Sequence, residues 1–174
     1  ITGAYNARFF HQRLDQEFAQ SKRSNTPLCI ITFDIDHFKK INDKYGHPEG
    51  DKALKVVANL IFQSIRKNDI PARYGGEEFV VILPETDRDG AMAMADRLRN
   101  TVETTCKLRD SEAKQHVTIS VGVTSVVPVE QDNINALIRA ADQVIEIGPG
   151  AGERGGQVVF QGTPTEMEQT EGCL

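Results

Sequence analysis

Arg73-Tyr74-Gly75-Gly76-Glu77-Glu78-Phe79 is the stretch on which the reading of this chain turns. Two adjacent glycines separate two strand-like runs, and two acids follow at once. Paired glycines supply the positive φ that a tight hairpin demands. Asp69-Ile-Pro-Ala-Arg-Tyr74 leads into the turn, and the β-branched run Phe79-Val-Val-Ile-Leu83 leaves it as a buried strand. The hairpin region runs from Asn68 to Leu83 and displays Glu77 at its tip. An acid on a glycine turn either binds a metal or is a solvated turn residue, and what else converges on the tip decides between these.

Upstream, Leu28-Cys-Ile-Ile-Thr-Phe-Asp-Ile-Asp36 begins apolar, as a central strand does, and ends acidic. Asp34 and Asp36 stand two apart, so they leave the strand on one face. Ile35 between them can offer a backbone carbonyl. A few carboxylates and carbonyls, completed by water and substrate phosphates, suit Mg²⁺; the alternative is that the two acids end the strand and cap the next helix. His37 to Tyr45 reads as a short helix closed by Gly46. Its N-terminus favours phosphate, with Lys39 and Lys40 nearby. Gly46-His-Pro-Glu-Gly50 reads as a loop, and Asp51 as the opening of a long amphipathic helix with Leu54, Val57, Ile61 and Ile65 on one face. Asn42 and Asp51, flanking that loop, have the amide and carboxylate chemistry to pair with a purine edge, or they terminate and cap helices.

The remaining elements follow from periodicity. Asn6 caps a helix carrying Phe10, Leu14 and Phe18, and Ser21 to Pro27 reads as a polar turn region. Thr86 or Asp87 starts a helix with Ala91, Met94, Leu98 and Val102 inward. His116 to Thr124 alternates as a strand. Asp132 or Asn133 caps a helix with Leu137, Ile138, Ala141 and Val144 on one face. Gln157-Val-Val-Phe160 fits a final edge strand, after a glycine- and proline-rich run from Gly148 that cannot be helix interior. Helix, strand, two helices, hairpin, helix, strand, helix and short strand predict an α/β (α+β) fold, with a central, mainly antiparallel sheet flanked by helices.

At 174 residues the chain has room for one domain with a proper core. A net charge of −5 lacks the basic footprint that duplex nucleic acid requires. No apolar run is long enough to span a membrane and no signal peptide is visible. The opening Ile1-Thr-Gly-Ala-Tyr-Asn6 reads as mid-protein sequence, pointing to an excised domain. Cys29, Cys106 and Cys173 lack metal-ligand spacing and fit reduced thiols in a cytoplasmic setting.

Four stretches together resemble the GGDEF family of diguanylate cyclases: Ile1 to Phe10, Phe33-Asp-Ile-Asp-His-Phe-Lys-Lys-Ile-Asn-Asp-Lys-Tyr-Gly-His-Pro-Glu-Gly-Asp51, Ala72 to Phe79, and Thr118-Ile-Ser-Val-Gly-Val123. The resemblance implies a fold like the palm of nucleotidyl cyclases and polymerases, and condensation of two GTP into cyclic di-GMP and two pyrophosphates with Mg²⁺ or Mn²⁺. It implies a homodimer in which each domain holds one GTP, and an N-terminal sensory or regulatory domain in the parent protein, with no membrane contact by this domain. Asp34, the Ile35 carbonyl and Glu77 would hold metal. Glu77, or a metal-bound water, would help deprotonate the 3′-hydroxyl, and Glu78 would support the metal site. Phe38, through its backbone, and Lys39 would meet phosphates, and Asn42 and Asp51 would read guanine. Arg66-Lys-Asn-Asp69 matches the family's RxxD inhibitory site for product, with Arg97 as its second arginine.

The likeness runs from residue 1 to about 145. The domain is expected to span residues 1–160, followed by a polar, disordered tail at 161–174. Beyond Ile145 the pattern breaks: the family's phosphate-gripping lysine and arginine positions fall on Pro149 and Glu153, with Arg154 one residue away. Residues 141–164 instead resemble a segment of the ATPase subunit of bacterial nucleotide excision repair, although the chain has no Walker P-loop. These departures carry the rival reading, a catalytically weak regulatory domain that binds GTP or senses cyclic di-GMP through Arg66 and Asp69.

Overall fold

A computed structural model describes residues 3–108, 116–130, 132, 134–135 and 137, together with the backbone of 158–161. Its elements are β1 (Tyr5–Asn6), α1 (Ala7–Ser24), β2 (Leu28–Ile35), α2 (Phe38–Tyr45), α3 (His47–Ser64), β3 (Ile70–Arg73), β4 (Glu78–Pro84), α4 (Arg88–Thr105), β5 (Ile119–Val126) and β6 (Val158–Gln161).

The six strands form one sheet in the order β1-β3-β4-β2-β5-β6. The three inner pairings, β3 with β4, β4 with β2 and β2 with β5, are antiparallel, and the two outer ones are parallel. The mainly antiparallel α+β architecture expected from the sequence is the one observed.

β2 sits at the centre and all its residues except Asp34 are buried. Its side chains alternate between two helical layers, as strand geometry requires. Cys29, Ile31, Phe33 and Ile35 face α3 and α4, meeting Leu54, Val57, Ile61, Leu98 and Val102 among others. Leu28 and Ile30 face α1, where Phe10, Leu14 and Phe18 complete a second core. Covering both faces explains why the strand reads as an unbroken apolar run. Burial pushes the Cys29 and Cys106 thiols each up to about 11, and both are free.

Asn6 and Asp87 cap their helices as expected, accepting from the Phe9 and Gly90 amides at 2.9 and 2.8 Å. Four local expectations are corrected. Ser21–Ser24 belongs to α1, which ends at Asn25 in a left-handed conformation, not to a turn. Residues 47–50 are the first turn of α3, not a loop: Pro48 occupies the helix start, where its missing N–H costs nothing. Asp51 therefore lies inside α3 and is not its cap; Gly46 is. Neither Gly75 nor Gly76 has a positive φ, so the turn needs its glycines for another reason, given below.

The two-residue β1 carries no sequence period and was not anticipated. Ile134, Asn135 and Leu137 are helical, and Leu137 is buried in the α1-side core. Ile138, Ala141 and Val144, as well as Pro149, Glu153, Arg154 and the tail, lie outside the described residues. The last strand forms at the sheet edge, parallel to β5. Among the described residues no helix is long and apolar enough to cross a membrane.

Candidate active site

The β2–β4 register places Asp34 opposite Glu78, at the end of the central strand and beside the hairpin turn. The two acids share the face that carries Ile30 and Val80 further along the strands. Burial raises the Asp34 carboxyl to about 7, and the negative charges of Glu77, Glu78 and Asp36 add to the effect. Asp36 is differently placed, since its carboxylate accepts from Thr118 Oγ1 and Ser120 Oγ, each at 2.6 Å. The two strand-end acids thus separate into one tied to β5 and one facing the hairpin.

The turn is closed from within. The Tyr74 and Gly75 amides both donate to Glu78 O, at 2.9 and 3.4 Å. The Arg73 guanidinium grips Gly76 O through Nε at 3.1 Å and also through Nη2. A side chain on Gly75 would overlap Glu78 Oε2 and stand 3.1 Å from its Cδ, whereas one on Gly76 would meet nothing within 4 Å. Gly75 therefore makes room for an acid of the site, and Gly76 leaves the front of the turn open.

Among the described residues no three His, Cys, Asp or Glu side chains are arranged as a ready-made metal cage. The acids fit a cation that brings its own oxygen ligands. Mg²⁺ and Mn²⁺ take one or two carboxylates, a carbonyl and substrate phosphates, and Asp34, the Ile35 carbonyl and Glu77 are hard oxygen donors of that kind.

Beyond β2 the chain passes through His37, left-handed at φ 56°, into α2. The first amides of α2, at Phe38 and Lys39, precede the first helical bond, from Ile41 N–H to His37 O at 3.1 Å. Lys39 is exposed, while Phe38 packs on the core. Asn42 on α2 abuts Gly50 on α3, and its buried Oδ1 has no hydrogen-bond partner. A buried acceptor left unpaired costs about 1–3 kcal/mol. Exposed Asp51 follows directly on α3.

At the other end of the β3–β4 hairpin, Arg66, Asp69 and Arg97 line a cleft of about 230 Å³ with Ser64 and Thr86. Asp69 is buried; its Oδ2 accepts from the Arg66 amide at 2.7 Å. Burial raises its carboxyl, and Arg66 opposes that through its amide and its charge. Arg97 Nη2 donates to Ser64 O at 3.4 Å. The three residues singled out in sequence thus meet in one place. Sequence reasoning missed Thr118 and Ser120, because only the β2–β5 register aligns them with the strand-end acids. It quoted Arg73 without giving it a role; a lone guanidinium beside a turn carries no pattern.

A family model described as "Diguanylate cyclase, GGDEF domain" matches residues 1–152. The probable diguanylate cyclase DgcT of Escherichia coli is 42% identical over 149 residues, covering 83% of this chain and 32% of that protein. The response regulator PleD of Caulobacter vibrioides is 38% identical, covering 82% and 32%. The chain thus spans about a third of the length of these curated relatives. Among solved structures, the coiled coil and GGDEF domain of DgcB from Caulobacter crescentus, in complex with c-di-GMP, is similar with a TM-score of 0.82 at 27% identity, covering 92% and 83% of the two chains. The active GGEEF domain of a diguanylate cyclase from Vibrio cholerae has a TM-score of 0.79 at 29% identity, covering 90% and 96%.

Proposed function

The chain belongs to the GGDEF family of diguanylate cyclase domains, and from that membership we propose that it condenses two GTP into cyclic di-GMP, releasing two pyrophosphates. The observation that carries the reading is the pairing of the hairpin acids with Asp34 on one side and the unpaired Asn42 acceptor on the other.

Asn42 Oδ1 accepts from a guanine N–H, and the Asp51 carboxylate accepts from the neighbouring edge. The free amides of Phe38 and Lys39, with the Lys39 ammonium, meet the triphosphate. Asp34, the Ile35 carbonyl and Glu77 are the ligands for a divalent cation. A bound Mg²⁺ or Mn²⁺ supplies charge neutralisation at the triphosphate and lowers the pKa of the attacking 3′-hydroxyl. Glu77 takes that hydroxyl's proton, and Glu78, held by the turn, keeps the acids in register. Each 3′-hydroxyl oxygen bonds to the α-phosphorus of the other GTP while the α–β phosphoanhydride breaks and pyrophosphate leaves. One domain holds one GTP, so two copies face each other, and the protein's main task is alignment.

Incubating the chain with GTP and Mg²⁺ should yield cyclic di-GMP, at a rate per molecule that rises with protein concentration until the dimer saturates. A chain that binds cyclic di-GMP but forms no product at any concentration would instead support the regulatory reading, with Pro149 and Glu153 in place of the phosphate grips.

The cleft of Arg66, Asp69 and Arg97 supports a product site. Guanidinium forks suit phosphate oxygens and guanine edges, and Asp69 offers an acceptor. A ligand that favours a non-productive arrangement lowers activity by population shift. Arg66→Ala is expected to weaken cyclic di-GMP binding about tenfold by calorimetry, the loss of one charge-assisted contact. Unchanged affinity would remove the site.

A further inference from the structure

We infer that Tyr74, seated against His11 and Phe10 of α1, is the positioning residue that aims the hairpin acids, so that the first turns of α1 act as the mount of the metal site. The inference rests on the metal-binding reading of Asp34 and Glu77.

The turn is tied to the sheet through its backbone, since the Tyr74 and Gly75 amides donate to Glu78 O and Glu78 pairs with Asp34 of β2; the Tyr74 side chain adds a second tether, to α1. Gly76 has open space around it, and two glycines give the backbone wide freedom. Tyr74 is the turn residue with a ring, and that ring turns back onto α1. It packs edge-to-face on Phe10, centroids 5.6 Å apart at 87°, and on His11 at 5.7 Å and 62°. Phe10 and His11 are themselves 5.3 Å apart at 68°. The Tyr74 hydroxyl stands 3.4 Å from His11 Nε2.

Phe10 is 2% exposed, so this ring triad is anchored in the α1-side core. Edge-to-face pairs are favoured beyond simple burial. Tyr74 also donates its own amide to Glu78 O. The side chain held by α1 and the backbone that holds Glu78 therefore belong to one residue.

Groups that orient metal ligands typically change metal affinity 10- to 100-fold when lost. The test uses Mn²⁺ titrated by electron paramagnetic resonance in the presence of GTP lacking its 3′-hydroxyl, which keeps the triphosphate but cannot react. Tyr74→Leu should weaken Mn²⁺ binding about tenfold. Tyr74→Phe, which keeps the ring, should stay near wild type. His11→Leu should weaken binding in the same direction, and Tyr74→Leu combined with His11→Leu should be no worse than Tyr74→Leu alone, because His11 acts through Tyr74.

Hydrogen exchange at the Gly75 amide should speed up in Tyr74→Leu and His11→Leu, while exchange at the Asp69 amide at the other end of the hairpin stays unchanged. Wild-type Mn²⁺ affinity and Gly75 exchange in both leucine variants, or additive losses in the double variant, would overturn the inference. If Tyr74→Leu fails to fold, half-buried His11 carries the test alone. Absence of Mn²⁺ binding by the wild-type chain would defeat the metal reading, and Gly75 exchange would still decide the mounting of the turn.

Discussion

Asp34→Asn is expected to yield a domain that is inactive and more stable than the parent at pH 8. The parent's Asp34 carboxyl is raised to about 7 from an ordinary 3.8, by burial and then by Glu77, Glu78 and Asp36. The folded chain thus keeps a proton that the unfolded chain releases near pH 4. Stability from this group is complete below that value and is lost as pH climbs through about 7. A shift of this size corresponds to roughly 4 kcal/mol; solvent access to this half-buried group reduces it to roughly 2 kcal/mol. The asparagine cannot ionise, so the variant should melt roughly 5 °C higher at pH 8 and match the parent at pH 4.

Turnover should fall by about a thousandfold, because an amide oxygen cannot replace an anionic ligand where several kcal/mol of charge stabilisation are at stake. Mn²⁺ with GTP should raise the parent's melting temperature clearly more than the variant's. In the parent, Mn²⁺ affinity should drop by up to about tenfold per pH unit below 7, since the cation must displace the Asp34 proton. A variant that is less stable at pH 8, or one that keeps its turnover, would break the link between the strand-end charge and the site. Melting curves at the two pH values and product assays decide both halves.

How far the chain could be read without coordinates depended on which interactions are local. The Leu28–Ile35 strand, the apolar faces of α1, α3 and α4 and the caps at Asn6 and Asp87 are written in neighbouring residues, and these were legible. Asp51 was misplaced because Gly46, Pro48 and Gly50 look like breakers in sequence. Pro48 is harmless at a helix start, and Gly50 is there for the helix it packs against. The paired glycines misled in the same way, since Gly75 accommodates the Glu78 carboxylate and not a left-handed turn.

Candidate residues at the site were legible as residue types, and their division of labour was not. That Asp36 is held by Thr118 and Ser120 while Asp34 faces the hairpin depends on pairing strands some 84 residues apart. The same holds for Tyr74 and His11, 63 residues apart. Register and packing between distant segments settle such roles, and no local pattern encodes them.

Gly50→Ala should separate nucleotide recognition from folding at the α2–α3 contact. A Cβ at this buried position would overlap Asn42 Oδ1, and would stand 2.9 Å from Asn42 Cγ and 3.2 Å from Phe38 Cζ. The backbone there is ordinary helix, so alanine would gain about 1 kcal/mol of helix propensity. Overpacking of this kind costs about 1–3 kcal/mol, so the two effects nearly offset and the net loss of stability should be about 1 kcal/mol.

The atom that must give way is the unpaired acceptor assigned to guanine. Once Asn42 is pushed aside, a guanine donor entering the pocket goes unmet, which costs about 1–3 kcal/mol, or roughly 10- to 100-fold in GTP affinity. Discrimination against ATP should shrink in parallel, because the lost contact is to the base and not to the phosphates. Calorimetry with GTP and with ATP, on the parent and on Gly50→Ala, gives the answer. An equal loss for both nucleotides would place the disturbance at Phe38 and the phosphate end of α2, and unchanged GTP affinity would remove Asn42 from the base pocket.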